Sequence, residues 1–238
     1  MESEETNTTP LPQAFDLLTA GNVSAAVEAI TATVDTQAAL EGLAQLCKRA
    51  YRDLKSVPAM TAIAWEAVGL GHRCAVASPD SESARRYKAR ARAIAYNAGA
   101  NCWPGWGDPV EISSSDIAEG LKLAERSYEI VEELGLGDKE FGSALWLVGA
   151  LQMAAGQLSA ATAQFLRAEE AFHAAQLPVC AAMAQGYAAL ANKISPESHL
   201  RGTESLAAII QSLRAIESRE AHFFADQLVT ADRIFSSR

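Results

Sequence analysis

The sequence predicts an all-α fold, a solenoid of about five helix pairs closed by a single C-terminal helix. Three observations carry that expectation. Alanine is abundant, while β-branched and aromatic residues never alternate with polar ones over a strand-length window, so no segment has the period-two pattern of a half-buried strand. Turn and cap residues divide the chain into about eleven segments of roughly 10 to 20 residues, the usual length of globular helices. The segments group into successive helix pairs, which calls for a test of internal repetition, and that test succeeds in one stretch of about 34 residues.

Taken in order, the first pair covers about 12–20 and about 24–34, split by Gly21-Asn22. The second covers about 36–55 and about 58–77, with Ser56 as N-cap and Pro58 in the first turn of the later helix. The third opens after Ser78-Pro79-Asp80, reaches about residue 98, resumes near Ser115 and stops at Gly135-Leu136-Gly137. Asp138 is expected to cap the fourth pair, about 139–155 and about 159–176, and Pro178 to open the fifth, about 179–193 and about 203–216. A last helix, about 218–235, stands alone. Its stripe of Phe224, Leu228, Ala231 and Phe235 leaves Arg219, Asp226 and Asp232 on the other side, as a cap of the array requires.

The fourth pair carries the most specific pattern. Leu145, Val148 and Gly149 give large, large and small positions in its first helix, Gly156 stands at the turn, and Ala161, Phe165 and Ala168 follow in the second helix. On these residues the stretch Gly142 to Ala175 resembles a tetratricopeptide (TPR) unit. Gln152 departs from the pattern, where an aromatic residue is usual, and so does His173, where proline is frequent. The first pair is a weaker copy through Ala14, Leu17, Gly21, Ala26 and Ile30. The other pairs have the helix lengths and the Ala/Leu texture alone, which a different α-solenoid or a compact helical bundle also fits. The resemblance implies a right-handed TPR-like solenoid as one domain over residues 11–238, and the acidic, polar opening is expected to be a disordered tail over 1–10. The resemblance also implies a protein- or peptide-binding adaptor or scaffold without catalysis. Chaperone-type TPR domains clamp a terminal carboxylate with matched Lys, Arg and Asn positions on successive first helices, and that set is not traceable here.

Charge and composition narrow the partners. A net charge of −9 and a pI near 5.0 argue against nucleic acid and anionic membranes, whose recognition needs a cationic face. The opening MESEETNTTP is acidic where a secretory leader is basic and then apolar, and no stretch of about 18 residues is uninterruptedly apolar, so a cytoplasmic protein is expected, a monomer or weak homo-oligomer. Cys47, Cys74, Cys102 and Cys180 form no CxxC pair and read as reduced thiols.

A search for catalytic or metal chemistry assigns no residue. Glu170 and His173 share a helix face, but the di-iron bundle that uses this spacing needs a second such motif, and there is none. His72 and Cys74 point about 200° apart on a helix, His222 and Asp226 make at most a surface contact, and His199 is expected in a loop. Gly69-Leu70-Gly71 follows no strand and reads as a close helix approach, while Gly135-Leu136-Gly137 reads as a helix stop. No cofactor or metal is expected.

Two features stand out. Arg85, Arg86, Lys88, Arg90 and Arg92 concentrate five of twenty basic residues on one helix, with Tyr87, Ala91, Ile94 and Ala98 as its apolar face. The helix expected to pair with it carries an acidic row, Glu125, Glu129 and Glu133. Between them lies an irregular stretch, about 99–115, that holds Trp103 and Trp106, two of the four tryptophans. Two readings stay open. In one, Trp103, Trp106 and the five cations bind an acidic or aromatic-bearing protein or peptide, since Trp and Arg dominate binding hot spots. In the other, the rings staple the loop over neighbouring helices and the charged faces are solvated. A ligand-sensing or catalytic protein with a pocket under the Trp103/Trp106 loop is the competing class of function, and a structural subunit held in a larger complex a third.

Overall fold

The computed structural model describes residues 10–32 and 35–237, and its regular structure there is eleven α-helices and one 3-10 turn, with no strand. The expected acidic tail, Pro10 apart, and the end of the second expected helix at Val34 lie outside the described residues. Packing is chiefly between helices adjacent in sequence, an arrangement compatible with a helical repeat. The contacts divide the chain into two compact units, one up to Ile94 and one from Ala95 onward.

The first unit holds α1 (Leu11–Thr19), α2 (Val23–Thr31), α3 (Thr36–Arg52), α4 (Val57–Ala77) and the start of α5 (Ser81–Asn101). Side-chain caps explain why the helices begin where they do. Asn22 accepts from the Ala25 N–H, Asp35 from those of Gln37 and Ala38, and Ser56 from that of Ala59, each satisfying backbone donors a helix start leaves open. Ile30, Leu40, Leu43, Leu46, Met60 and Ile63 fill the core. Gly71 is the close approach that the glycine pair implied: a Cβ there would lie 2.9 Å from the Ala91 Cβ, so α4 and α5 touch at backbone distance. Gly69 meets only the Arg73 side chain.

The second unit holds the end of α5, the 3-10 turn Pro104–Trp106, α6 (Ser114–Glu133), α7 (Asp138–Ala154), α8 (Leu158–Ala174), α9 (Pro178–Ile194), α10 (His199–Ala215) and α11 (Arg219–Phe235). The α7/α8 pair packs closely through small and large residues in turn. Leu145, Ala161, Phe165 and Ala168 are buried, and a Cβ on Gly149 would sit 3.0 Å from the Phe165 ring. Gly156 has φ +79°, a left-handed stop that side-chain-bearing residues rarely adopt. α11 packs on α9 and α10 and also on the 3-10 turn, burying Ala221, Ala225, Leu228, Ala231 and Phe235. Lys193 on α9 clamps Asp232 on α11 at 2.7 and 2.8 Å.

Three local expectations are corrected. Asp138 is the first residue of α7 rather than its cap; Gly137 holds the cap position, without a side-chain bond. His199 opens α10 instead of lying in a loop, and its Nδ1 meets the Lys193 carbonyl at 2.6 Å. The irregular stretch is shorter than 99–115: α5 runs to Asn101, and α6 starts at Ser114 behind a Ser113/Asp116 capping box.

Candidate functional site

Trp103 and Trp106 share one turn but not one environment. Trp103 is fully buried, with ring centroids 4.8 Å from Trp106, 5.7 Å from Trp146, 5.6 Å from Tyr187 and 6.2 Å from Phe235. α7, α9 and α11 therefore converge on one ring supplied by the turn. Gly105 makes room for it: a Cβ there would fall 2.1 Å from Trp103 Cζ2. Trp106 is half-buried, its Nε1 donating to the Ala100 carbonyl at 2.7 Å, and it is the ring of this turn that reaches the surface.

Beside Trp106 lies a cavity of about 210 Å³ with six aromatic side chains among its eleven lining residues. Tyr96 of α5 and Trp106 form one wall; Lys139, Ser143 and Trp146 of α7 a second; Phe172 of α8 with Cys180 and Met183 of α9 a third; and Phe223, Phe224 and Gln227 of α11 the fourth. The spacings i, i+4, i+7 on α7 and i, i+3 on α9 put each set on one helix face. Phe223 is 58% exposed and its ring centroid lies 5.7 Å from that of Phe224, so the mouth is also apolar.

Polar groups on this lining are few. Trp146 Nε1 and Gln227 Oε1 are buried with no hydrogen-bond partner. Trp103 Nε1 and Tyr187 Oη are likewise unpartnered in the adjoining cluster, where steeply inclined rings offer π-faces as weak acceptors. Lys139 is exposed, forms no ion pair among the described residues and is the charged residue of the lining. Burial raises the Cys180 thiol pKa, Glu220 adds to the rise, and Lys139 opposes it.

The basic run lies in the first unit, whereas the two tryptophans belong to the second. Arg86 pairs with Glu82 at 3.2 Å and Arg90 with Glu41 at 3.2 Å. Arg85 is exposed, and Lys88 and Arg92 are half-buried. Of the expected apolar face, Ala91, Ile94 and Ala98 are buried and Tyr87 is half-buried. The acidic row of α6 is served from its own helix, Arg126 reaching Glu129 at 2.8 Å and Glu133 at 3.0 Å. His173 faces Glu169 at 3.8 Å rather than Glu170, and Asp226 meets Arg214 at 3.5 Å rather than His222. Among the described residues no three His, Cys, Asp or Glu side chains gather as a metal ion would require, and no helix is long and apolar enough to cross a membrane.

Sequence reasoning found Trp106 but not the rest of the pocket, which comes from helices far apart in the chain. The signal available in the sequence was the i, i+4, i+7 spacing of Lys139, Ser143 and Trp146, which puts them on one face of α7. No protein-family model and no curated protein sequence matches the chain.

Proposed function

We propose that this chain is a protein- or peptide-binding adaptor, a right-handed TPR-like solenoid of about five helix pairs capped by α11, that anchors a partner by taking one of its side chains into the pocket beside Trp106. The observation that carries the reading is the pocket's size and lining together. An apolar cavity of about 150 Å³ holds benzene, and sites for drug-sized ligands start at about 300 Å³. A cavity of about 210 Å³ lies between them and fits one large side chain better than a whole cofactor. That comparison favours an anchoring pocket over the competing ligand-sensing or catalytic protein, although both would use the space by Trp106. Trp103 serves as the ring that holds the turn in place, and no catalytic step is assigned.

The basic run of α5 in the first unit is a second proposed contact surface, with Arg85 and Arg86 its most exposed cations. Contacts there would be salt-sensitive, as expected of exposed charges.

The test is selection of a random peptide library on the intact protein, with a Ser143→Leu variant in parallel. Ser143 is a half-buried pocket wall, and leucine there would occupy the cavity. Peptides enriched for one large apolar residue and lost on the variant are the expected result, with circular dichroism confirming an unchanged fold. No enrichment, or equal recovery on the folded variant, would remove the pocket from the reading.

A further inference from the structure

We infer that the pocket beside Trp106 selects an aromatic residue flanked by acidic ones in a partner peptide. The inference rests on the reading of this pocket as a peptide anchor and adds what the anchor recognises. Trp106, Trp146, Phe172, Phe223 and Phe224 present ring edges and faces around one space, and Met183 adds a thioether. Aromatic rings gain from such neighbours beyond the area they bury, through edge-to-face and sulfur contacts that an aliphatic side chain makes less well. An aromatic guest is therefore preferred over leucine or valine.

Charge decides what accompanies the ring. Aromatic boxes can hold quaternary ammonium groups, but there the cation meets only π-faces and is often assisted by acids. Here no acidic residue lines the pocket, and the lining's charged group is the Lys139 ammonium, exposed and without an ion pair among the described residues. A cationic guest would meet repulsion, whereas a carboxylate beside the aromatic residue meets an unpaired cation. Glu220 acts on Cys180 from outside the lining, so the favourable position for the carboxylate is on the α7 side, at Lys139.

The experiment is calorimetric titration of the intact protein with three capped peptides: tryptophan between two glutamates, tryptophan between two glutamines, and leucine between two glutamates. At about 0.01 M salt the glutamate–tryptophan peptide should bind up to about five-fold more tightly than its glutamine counterpart, the range of one exposed ion pair. The difference should vanish at about 1 M salt, where the screening length is about 3 Å, and in Lys139→Gln. The leucine peptide should bind more weakly than the tryptophan peptide. Bound peptide should also slow alkylation of the half-buried Cys180, a pocket wall, relative to Cys74 in the first unit. Equal binding of the glutamate and glutamine peptides, each protecting Cys180, would overturn the acidic preference while leaving the anchor intact. Leucine binding as well as tryptophan would overturn the aromatic preference. Absence of binding and of Cys180 protection with all three peptides would overturn both the inference and the anchoring reading.

Discussion

Trp103 and Trp106 are three residues apart, and the glycine between them separates their fates. With no Cβ at Gly105 the Trp103 ring folds back beneath the turn and into the rings of Trp146, Tyr187 and Phe235. Truncating a fully buried tryptophan leaves a large cavity, so Trp103→Ala should lose about 3–5 kcal/mol of stability. Gly105→Ala overpacks the same spot and should lose about 1–3 kcal/mol. Trp106→Ala, half-buried, should lose less than Trp103→Ala while abolishing peptide binding; chemical denaturation ranks the three, and an equal loss for both tryptophans would contradict the division of roles. The sequence could not separate them, because a short irregular segment has no periodicity to say which ring faces inward. Buried thiols give a second expectation. Burial pushes Cys47 and Cys102 from an ordinary 9.0 up to about 12. Each thiol binds its proton more tightly when folded, so this contribution is fully present below pH 9.0 and is lost as pH rises from there toward about 12. Denaturation midpoints should fall over that range, and Cys47→Ala with Cys102→Ala should flatten the fall; an unchanged alkaline slope in the double variant would count against it.

Helices were legible because their ends are chemically marked. Ser56 caps α4 as expected, Asn22 and Asp35 likewise bond to the backbone of the helices they precede, and Gly21, Gly135 and Gly156 take the positive φ that ends a helix. Misreadings fall where side chains are committed elsewhere. Ser198 holds the N-cap position of α10 but gives its hydroxyl to the Asn192 carbonyl instead of capping, and the helix starts at His199 rather than near 203. α11 is the element with most to test. Its apolar stripe was expected to cover the end of the array, and it covers α9, α10 and the 3-10 turn together, with the Lys193–Asp232 clamp fixing its register. Deleting Ser218 to Arg238 should expose this apolar surface and bring aggregation or loss of cooperative melting. A truncated protein that stayed monodisperse with an unchanged Tm would show that α11 is dispensable for closure.

At the scale of the molecule, all-helical content was legible from local pattern, whereas the pocket was not, since its walls come from α5, the 3-10 turn, α7, α8, α9 and α11 and meet only when the helices stack. Stacking also grades stability within each unit. α7 buries Leu145, Trp146, Leu147, Val148 and Leu151; α9 buries Met183, Ala184, Tyr187 and Leu190. α10 buries only Gly202, Leu206 and Leu213 and leaves Leu200 80% exposed. In the first unit the long α3 and α4 carry most of the core, while α1 and α2 are nine residues each, short enough to be marginal without packing. Amides open locally at a free energy set by how much apolar surface their element must expose. Native-state hydrogen exchange should therefore find α7 and α9 the slowest helices of the second unit and α10 faster, and in the first unit α3 and α4 slower than α1 and α2. Peptide binding at the Trp106 pocket would bridge α7, α9 and α11, so it should slow exchange in α11 more than in α10. If α10 were as protected as α7 in the free protein, or if bound peptide slowed α10 in preference to α11, the order of stacking energies drawn from burial would be wrong.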